Sequence, residues 1–283
     1  MTRSGLPFLK YHALGNDYFV MDPLKTPFEV DGKFVKRLCD RHRGAGSDGL
    51  LLGPLEPGEP FRLRIFNPDG GEAQRSGNGL RIFAQYLKDA GYIQGDQGLI
   101  TTSAGEVRAT FLPGGLIEVD LGEPSFLAGD LPFTGVGPQE EILAFPLVLE
   151  GETVAIHGVS VGNPHAVVLA GPSTPGRARR LGPQIEHHPL FPERVNVQFV
   201  EVINRSTLRI EIWERGAGYT QASGTSSSAV AAVCRRRGLV GDEVEVRMPG
   251  GSLRVRFQGE RILLAGPVSH VFEGIWPQEA SHG

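Results

Sequence analysis

The chain has 283 residues, of which 40% are hydrophobic and 21% charged, with a formal net charge of −4. This length can bury a large core and form two domains of ordinary size. The charge balance argues against nucleic acid as a partner, and no run approaches the roughly 20 apolar residues of a membrane-spanning helix. Two cysteines offer neither a disulfide framework nor a paired metal-binding spacing. The composition predicts a cytoplasmic enzyme or binding protein with no nucleic-acid or membrane partner.

Short strands with alternating apolar residues dominate the chain, and Gly, Pro and Asn separate them. Three helices interrupt the strands, each followed by a glycine that stops it. The predicted helices are 34–41, 80–90 and 227–237. Together these elements predict an α/β protein.

Two stretches rich in Gly and Pro divide the chain. Residues 123–141 are predicted to be a linker and residues 171–192 a second loop. The stretch after Gly266 is too short for a domain, so it is predicted to pack on one half, with residues 278–283 frayed. The predicted domains are an N-terminal half, 1–122 joined by 268–283, and a C-terminal half, 123–267.

The sequence repeats itself at a constant offset of 147 residues. Gly15-Asn16 returns as Gly162-Asn163, and Ser76-Gly77 returns as Ser223-Gly224, since 162 − 15 and 223 − 76 are both 147. The run RLRIF at 62–66 aligns with RIEIW at 209–213 at the same offset. This register predicts two related halves that face each other across a cleft. Such an arrangement suits a reaction in which one face of a substrate loses a proton and the opposite face gains one.

The repeated Ser-Gly pair stands at the start of a predicted helix in each half. At a single site, the simplest interpretation is an N-cap, because serine satisfies the unpaired N–H groups of a helix start. At two equivalent positions, an anion site is the stronger interpretation, since helix N-termini attract negative charge. Two such sites are expected to hold a substrate carboxylate and to stabilise the charge that develops when its α-proton leaves.

Several ordered motifs resemble one known family along nearly the whole chain. They are HALGNDYFVMD at 12–22, FNPDG at 66–70, SGNG at 76–79, GNPHAVV at 162–168, NVQF at 196–199, ERGAG at 214–218, SGTS at 223–226 and GPVSHVFEG at 266–274. In these the chain resembles the diaminopimelate epimerases, pyridoxal-independent enzymes of bacterial lysine biosynthesis. The resemblance implies two pseudo-symmetric domains, each a barrel-like sheet around a central helix, and a homodimer. No metal or cofactor motif is present, so none is predicted.

The resemblance assigns substrate-binding roles position by position. The matching residues are Asn16, Asn67, Gly77, Asn78, Asn163, Asn196, Glu214, Arg215, Gly224 and Thr225. Most of the asparagines and the Glu214-Arg215 pair are implied to recognise the distal end of the substrate, where Arg215 can bind a carboxylate and Glu214 an ammonium group. Backbone around the two Ser-Gly pairs is implied to hold the reacting carboxylate. His165 is interpreted as a packed residue rather than a hydrogen-bonding one.

The proton-transfer positions depart from the family, which uses one cysteine in each domain. Here both are serine, Ser76 and Ser223, and these remain the predicted catalytic pair. Gly49 stands where the family usually has glutamine, and Tyr219 replaces the usual glutamate. A thiol ionises near pKa 8.5, but a hydroxyl ionises many units higher, so a serine acts as a base only with help. The candidates for that help are Tyr219, one helical turn before Ser223, and Glu72, four residues before Ser76.

Three interpretations follow from these departures, and deliberate replacement of both cysteines is a fourth that leaves Tyr219 and Gly49 unexplained. The protein is an epimerase with serine acid/bases, a thiol-free isomerase or lyase on a related amino acid, or a non-catalytic amino-acid-binding homologue. The first is preferred because the distal recognition set is intact. The predicted function is therefore an isomerase that converts LL-diaminopimelate to meso-diaminopimelate.

Overall fold

A computed structural model describes residues 5–277 of the chain. The chain divides into two compact units. The first comprises the described residues up to Val119 and from Gly266 on, and the second is Asp120–Ala265. The end predicted to be frayed, 278–283, lies outside the described residues. Within 5–277, no helix combines the length and the apolar character needed to cross a membrane.

The elements follow one another in chain order. The first unit begins with β1 (Gly5–Ala13), β2 (Asn16–Met21), α1 (Gly32–Cys39), β3 (Leu50–Leu52), β4 (Phe61–Arg62), β5 (Arg64–Phe66), β6 (Glu72–Ala73), α2 (Gly77–Asp89), β7 (Gln97–Thr102), β8 (Gly105–Leu112) and β9 (Leu116–Gly122). The second unit holds β10 (Phe145–Leu149), β11 (Glu152–Ser160), β12 (Pro164–Val168), α3 (Pro175–Glu186), β13 (Asn196–Asn204), β14 (Thr207–Glu214), β15 (Gly218–Thr220), α4 (Gly224–Arg236), β16 (Glu243–Met248), β17 (Gly251–Gln258) and β18 (Arg261–Pro267). The chain then returns to the first unit in β19 (Ser269–Pro277).

Sheets dominate both units. The first contains a six-stranded sheet in the order β19-β1-β2-β3-β5-β6, and its other strands neighbour one another in the order β4-β7-β8-β9. In the second unit the order is β10-β11-β12-β13-β14-β16-β17-β18, with β15 beside β14. β19 pairs antiparallel with β1 as β10 pairs antiparallel with β11. The last strand of the chain therefore takes the same place in the first unit that β10 takes in the second.

The offset of 147 residues extends to whole elements. Subtracting 147 from the bounds of β11, 152 and 160, gives 5 and 13, the bounds of β1. Subtracting it from 224 and 236, the bounds of α4, gives 77 and 89, the bounds of α2. α1 and α3 end at equivalent residues, since 186 − 39 is also 147. The two units are therefore two versions of one folding pattern.

Helices α2 and α4 are the centres of their units. Each is buried from its first residue through nearly all of its length. α2 packs against β1, β2, β7 and β8, and α4 packs against strands from β11 to β17. A helix that is buried on all sides must lie in a core. The predicted fold class, an α/β protein with two domains that each wrap a sheet around a central helix, is confirmed.

The predicted loop at 171–192 was wrong, because it contains helix α3. The side chain of Thr174 caps this helix through the N–H group of Arg177, and Pro175 occupies the first turn, where a proline needs no N–H partner. Pro183 lies inside the helix, and together with the nearby glycines it makes the sequence resemble a loop. Burial of Leu181 and Ile185 in the core outweighs that local preference.

The predicted linker at 123–141 was also wrong. Ala128 and Leu131 are fully buried there, and they pack with Phe133 and Ile142 in the core of the second unit. Ser125 also forms a β-bridge with Ser160. Gly and Pro shape the turns of this segment, while its spaced apolar side chains hold it in place.

Leu131→Ala should destabilise the protein strongly, because it leaves a cavity in the core. We expect the free energy of unfolding to fall by about 2–5 kcal/mol in chemical denaturation. Leu143→Ala is the matched control: Leu143 is 39% exposed, and its loss should change stability by less than about 1 kcal/mol. Equally small effects from both variants would contradict the placement of Leu131 in the core.

Candidate functional site

Ser76 and Ser223 are the N-caps of the two central helices. Both have extended backbone angles, and each side chain accepts a hydrogen bond from an N–H group of the first turn. Ser76 Oγ accepts from Gly79 at 3.0 Å, and Ser223 Oγ accepts from Ser226 at 3.4 Å. The two hydroxyls therefore stand at the positive ends of two helix dipoles, where negative charge is stabilised.

A buried arginine lies beneath the start of α2. Arg81 is fully buried, and its guanidinium donates to Gly77 O at 3.2 Å and to Asn78 Oδ1 at 2.7 Å. Burial lowers the pKa of Arg81 to about 10, so the group stays protonated at neutral pH. Its charge adds to the helix dipole at the turn that begins with Ser76.

Three predicted site residues of the first unit meet at this turn. Asn78 Nδ2 donates to Asn16 Oδ1 at 2.9 Å, and Asn16 Nδ2 donates to Asp48 Oδ2 at 2.9 Å. Gly77 and Asn78 are both buried in the first turn of α2. Asn67 lies in a different segment, the turn after β5. Its backbone carbonyl accepts a hydrogen bond from Gly70 N–H, and its side chain is exposed.

Ion pairs that the sequence did not predict hold the segment around Asn16 in place. Asp17 pairs with Lys10 and with Arg41, at 2.7 Å in each case, and Arg41 also pairs with Asp48 at 2.7 Å. Burial opposes ionisation of Asp17, but hydrogen bonds from Arg41 and Lys10 outweigh it and hold its pKa below the usual value. These contacts tie the loop before β3 to the start of β2. In the sequence, Asp17, which directly follows the Gly-Asn turn, was the residue that could have indicated these ion pairs.

Equivalent glycine turns position the two repeated asparagines. Gly15 has a φ of +88° and Gly162 a φ of +95°, a region that residues with a side chain rarely adopt. Each turn joins the first two strands of its repeat, β1 to β2 and β11 to β12. Asn16 and Asn163 therefore follow the same backbone path.

A buried hydrogen-bond chain holds Asn163 in the second unit. His165 Nε2 lies 2.9 Å from Asn163 Oδ1, His165 Nδ1 lies 2.9 Å from Gln198 Nε2, and Gln198 Nε2 donates to Ser226 Oγ at 3.0 Å. Because an amide nitrogen can only donate, Gln198 Nε2 donates to His165 Nδ1, and the ring proton of His165 therefore belongs on Nε2. Burial lowers the pKa of His165 to about 3, which keeps the ring neutral. The interpretation of His165 as merely packed was wrong, because this ring orients Asn163.

The distal set of the second unit surrounds the turn after β14. Asn196 Nδ2 donates to Pro164 O at 2.9 Å, and Asn196 Oδ1 accepts from Arg215 N–H at 3.0 Å. The Arg215 side chain is exposed and donates to Glu193 O at 3.2 Å. Glu214 accepts from the Thr220 hydroxyl at 2.7 Å. Asn196 therefore fixes the backbone that carries the Glu214-Arg215 pair.

Glu186, at the end of α3, clamps the same turn and was not found from the sequence. It is almost fully buried, and it accepts hydrogen bonds from Trp213 Nε1 at 2.7 Å and from Gly216 N–H at 2.8 Å. Glu186 was missed because α3, the helix that it ends, was predicted to be a loop. At the start of α4, Gly224 is buried and Thr225 Oγ1 lies 3.4 Å from Ser223 Oγ.

A family model described as diaminopimelate epimerase matches residues 8–127 and 158–271. The chain belongs to the diaminopimelate epimerase family. It is 43% identical to diaminopimelate epimerase 2 of Nostoc sp. over 95% of each chain, and 39% identical to the diaminopimelate epimerase of Stutzerimonas stutzeri over 95% of this chain and 98% of that one. The predicted family and enzyme class, an isomerase, are confirmed.

A solved structure supports the fold independently. The hydroxyproline epimerase of Agrobacterium vitis, solved with bound trans-4-hydroxy-L-proline, superposes with a TM-score of 0.64 at 18% identity. The match covers 95% of this chain and 91% of that one. At this identity the likeness concerns the fold alone.

Neither side chain that was suggested as help for the serines of this diaminopimelate epimerase family member serves that purpose. Tyr219 lies on strand β15, not on a helix, and its hydroxyl donates to Glu211 Oε2 at 2.6 Å. Burial and this hydrogen bond raise the pKa of Tyr219 to about 12. Glu72 forms an ion pair with Arg64 at 2.9 Å. Both suggestions were wrong, because the strands direct these groups to other partners.

The glycine at the family's usual glutamine position has a structural reason. A Cβ atom at Gly49 would lie 2.6 Å from Tyr18 Cε1 and would collide with the carbonyl oxygen of Phe66. The Tyr18 ring thus fills space that a side chain at position 49 would need. The Tyr18 hydroxyl lies 3.4 Å from Ser76 Oγ.

His165→Gln should change how stability depends on pH. Between the folded pKa of about 3 and the unfolded value of about 6.5, only the unfolded state binds the proton, so stability falls as the pH falls below 6.5. The slope is about 1.4 kcal/mol per pH unit, or about 2 kcal/mol between pH 6.5 and 5. Denaturation at pH 7 and pH 5 should show this loss in the native protein and a smaller one in the variant.

The exposed His42 supplies the control for this measurement. The His42→Gln variant should keep the pH slope of the native protein. An unchanged slope in His165→Gln would contradict a neutral, buried His165.

Proposed function

We propose that this protein is a pyridoxal-independent epimerase that inverts the α-carbon of a diamino dicarboxylic acid, with LL- and meso-diaminopimelate as the substrate pair. The observation that carries the proposal is the pair of equivalent helix starts, each capped by a serine hydroxyl, in a chain of this family. A role in lysine biosynthesis and a cytoplasmic location follow from the family resemblance and belong to the same proposal.

The reacting carboxylate binds at the helix starts. The first-turn N–H groups around Gly77, Asn78, Gly224 and Thr225 supply donors to an anion. The buried charge of Arg81 strengthens the attraction for an anion at the start of α2. This stabilisation increases as the α-carbon loses its proton, because the substrate then gains negative charge.

The distal end of the substrate is recognised by groups with complementary charge. The exposed guanidinium of Arg215 binds the second carboxylate, and Glu214 accepts from the second ammonium group. Asn16, Asn67 and Asn163 orient the molecule through their amides, while Asn196 sets the turn that carries Glu214 and Arg215. Supporting groups hold two of these amides, the half-exposed Asp48 for Asn16 and the buried His165 for Asn163.

Ser76 and Ser223 carry out the proton transfers. Inversion requires that a proton leaves one face of the carbon and that another arrives at the opposite face, so one group removes it and a second delivers it. A hydroxyl is a poorer base than a thiol, and each pKa unit of that difference corresponds to about 1.4 kcal/mol. The helix dipoles recover a few units at most. A serine pair is therefore expected to be slower than a thiol pair.

The functional form is a homodimer, as the family resemblance implies. β19 forms the edge of the six-stranded sheet, and it exposes Val271, Phe272 and Ile275. An apolar edge strand is covered in most proteins, because it otherwise recruits other strands. A second copy of the chain is the proposed cover.

Exchange of the substrate α-proton tests the proposed reaction. In D2O, proton NMR should show loss of the α-proton signal of LL-diaminopimelate with the native protein. The Ser76→Ala and Ser223→Ala variants should lose this exchange by at least about 100-fold. Binding by calorimetry without exchange would favour a non-catalytic binder, and an alkene or keto product would favour a lyase.

A matched control separates catalysis from capping, because each alanine also removes an N-cap worth about 1 kcal/mol. Thr174→Ala removes the N-cap of α3, and it should leave the exchange rate unchanged.

Restoring both thiols tests substrate recognition separately from proton transfer. The Ser76→Cys, Ser223→Cys double variant should epimerise diaminopimelate at least about 100-fold faster than the native protein, since thiols ionise near neutral pH at helix N-termini. A folded double variant that stays inert with diaminopimelate would count against this substrate.

A further inference from the structure

Ser76 has a phenol hydroxyl as its neighbour. Tyr18, on β2, is 7% exposed, and its Oη lies 3.4 Å from Ser76 Oγ. This distance is long for an O–H···O hydrogen bond, but hydrogen bonds between proton-transfer groups commonly tighten once a substrate is bound. Because Gly79 N–H already donates to Ser76 Oγ, the serine proton is available for donation to Tyr18 Oη.

Gly49 makes this arrangement fit. Any side chain there would meet the ring of Tyr18 and the backbone of Phe66. The absence of a Cβ atom at one position thus allows a phenol at another to reach the serine.

We infer that Tyr18 is a positioning residue that acts through Ser76 by exchanging a proton with its hydroxyl. The inference rests on the proposed function. Tyr18 would supply the proton acceptor that a serine base needs, because a phenol ionises near pH 10 in model peptides and an aliphatic hydroxyl far above that.

The proton transfers balance in both directions. When Ser76 removes the α-proton, the Cα–H bond breaks and its electron pair stays on carbon, a new Oγ–H bond forms, and the original serine proton passes to the Tyr18 phenolate. When Ser76 delivers a proton, its hydroxyl proton moves to carbon and the Tyr18 phenol proton replaces it on Oγ. At Ser76, neither direction requires free alkoxide to accumulate, and no electron is gained or lost.

The other unit uses the equivalent position differently. Adding 147 to 18 gives 165, and His165 is bonded to Asn163 and Gln198 rather than to Ser223. The hydroxyl beside Ser223 in that unit is an aliphatic one, Thr225 Oγ1, which lies 3.4 Å from Ser223 Oγ. The N–H group of Ser223 donates to Met248 Sδ. The structure therefore places the phenol partner at Ser76.

A double-mutant cycle tests this inference. Tyr18→Phe removes only the hydroxyl, and we expect it to lower α-proton exchange of diaminopimelate about 100-fold in the native serine protein, in kcat rather than KM. In the Ser76→Cys, Ser223→Cys background, the same substitution should lower the rate less than about threefold, because a thiol ionises without a phenol. A purely structural role would give the same factor in both backgrounds.

Tyr11→Phe is the matched control for this cycle. Tyr11 lies opposite Tyr18 on β1, it is also buried, and its hydroxyl donates to Asp89 at 3.0 Å. It should leave both rates within about threefold, as expected for a group outside the proton path.

The outcomes separate the inference from the proposed function. Exchange in the thiol background with no Tyr18→Phe effect in the serine protein, or with equal effects in both, overturns the role of Tyr18 and leaves the epimerase proposal standing. Absence of exchange in every folded variant overturns both.

Discussion

The capping of a buried helix start is the constraint on which each unit depends. α2 and α4 begin inside their units, and a buried first turn cannot leave its N–H groups without partners. Ser76 and Ser223 satisfy one N–H group each, so their hydroxyls are held by the same hydrogen bond that lets the helix start there. In each unit, the serine Oγ atom therefore has both the structural role of the cap and the proposed chemical role. The remaining first-turn donors suit an anion for the same reason.

The two units share a backbone but differ in the chemistry around the cap. Arg81, charged and buried in α2, corresponds to Ser228 in α4, which returns its hydroxyl to Gly224 O at 3.0 Å. Tyr18 corresponds to His165, a neutral ring within a hydrogen-bond chain. A repeat that is symmetric in its strands and helices therefore supports two unlike surroundings for one residue type. In the proposed epimerase, the two proton transfers need not be equally fast.

Much of the fold could be predicted from the sequence, since local patterns carry it. The central helices were predicted three residues short at their N-termini, 80 for 77 and 227 for 224, because a first turn of Gly, Asn, Ser and Thr lacks an apolar rhythm. α3 was missed because proline and glycine outweigh the apolar signal locally, while burial of Leu181 decides the outcome in the folded chain. Of the site residues, the Ser-Gly and Gly-Asn pairs stood out by repetition, and Asp48, Arg81 and Gln198 had no repeated partner to mark them.

By itself, the sequence determined the repeat, the family and the identity of the two capping serines, because each depends only on which residue follows which. The tertiary structure alone decided what surrounds those serines. Residues 18, 49 and 76 are far apart in the chain, and they meet because β2 pairs with β3 and α2 packs against β2. The distance between Tyr18 and Ser76 is set by that pairing and by the missing Cβ atom of Gly49, a relation between side chains that no local pattern encodes.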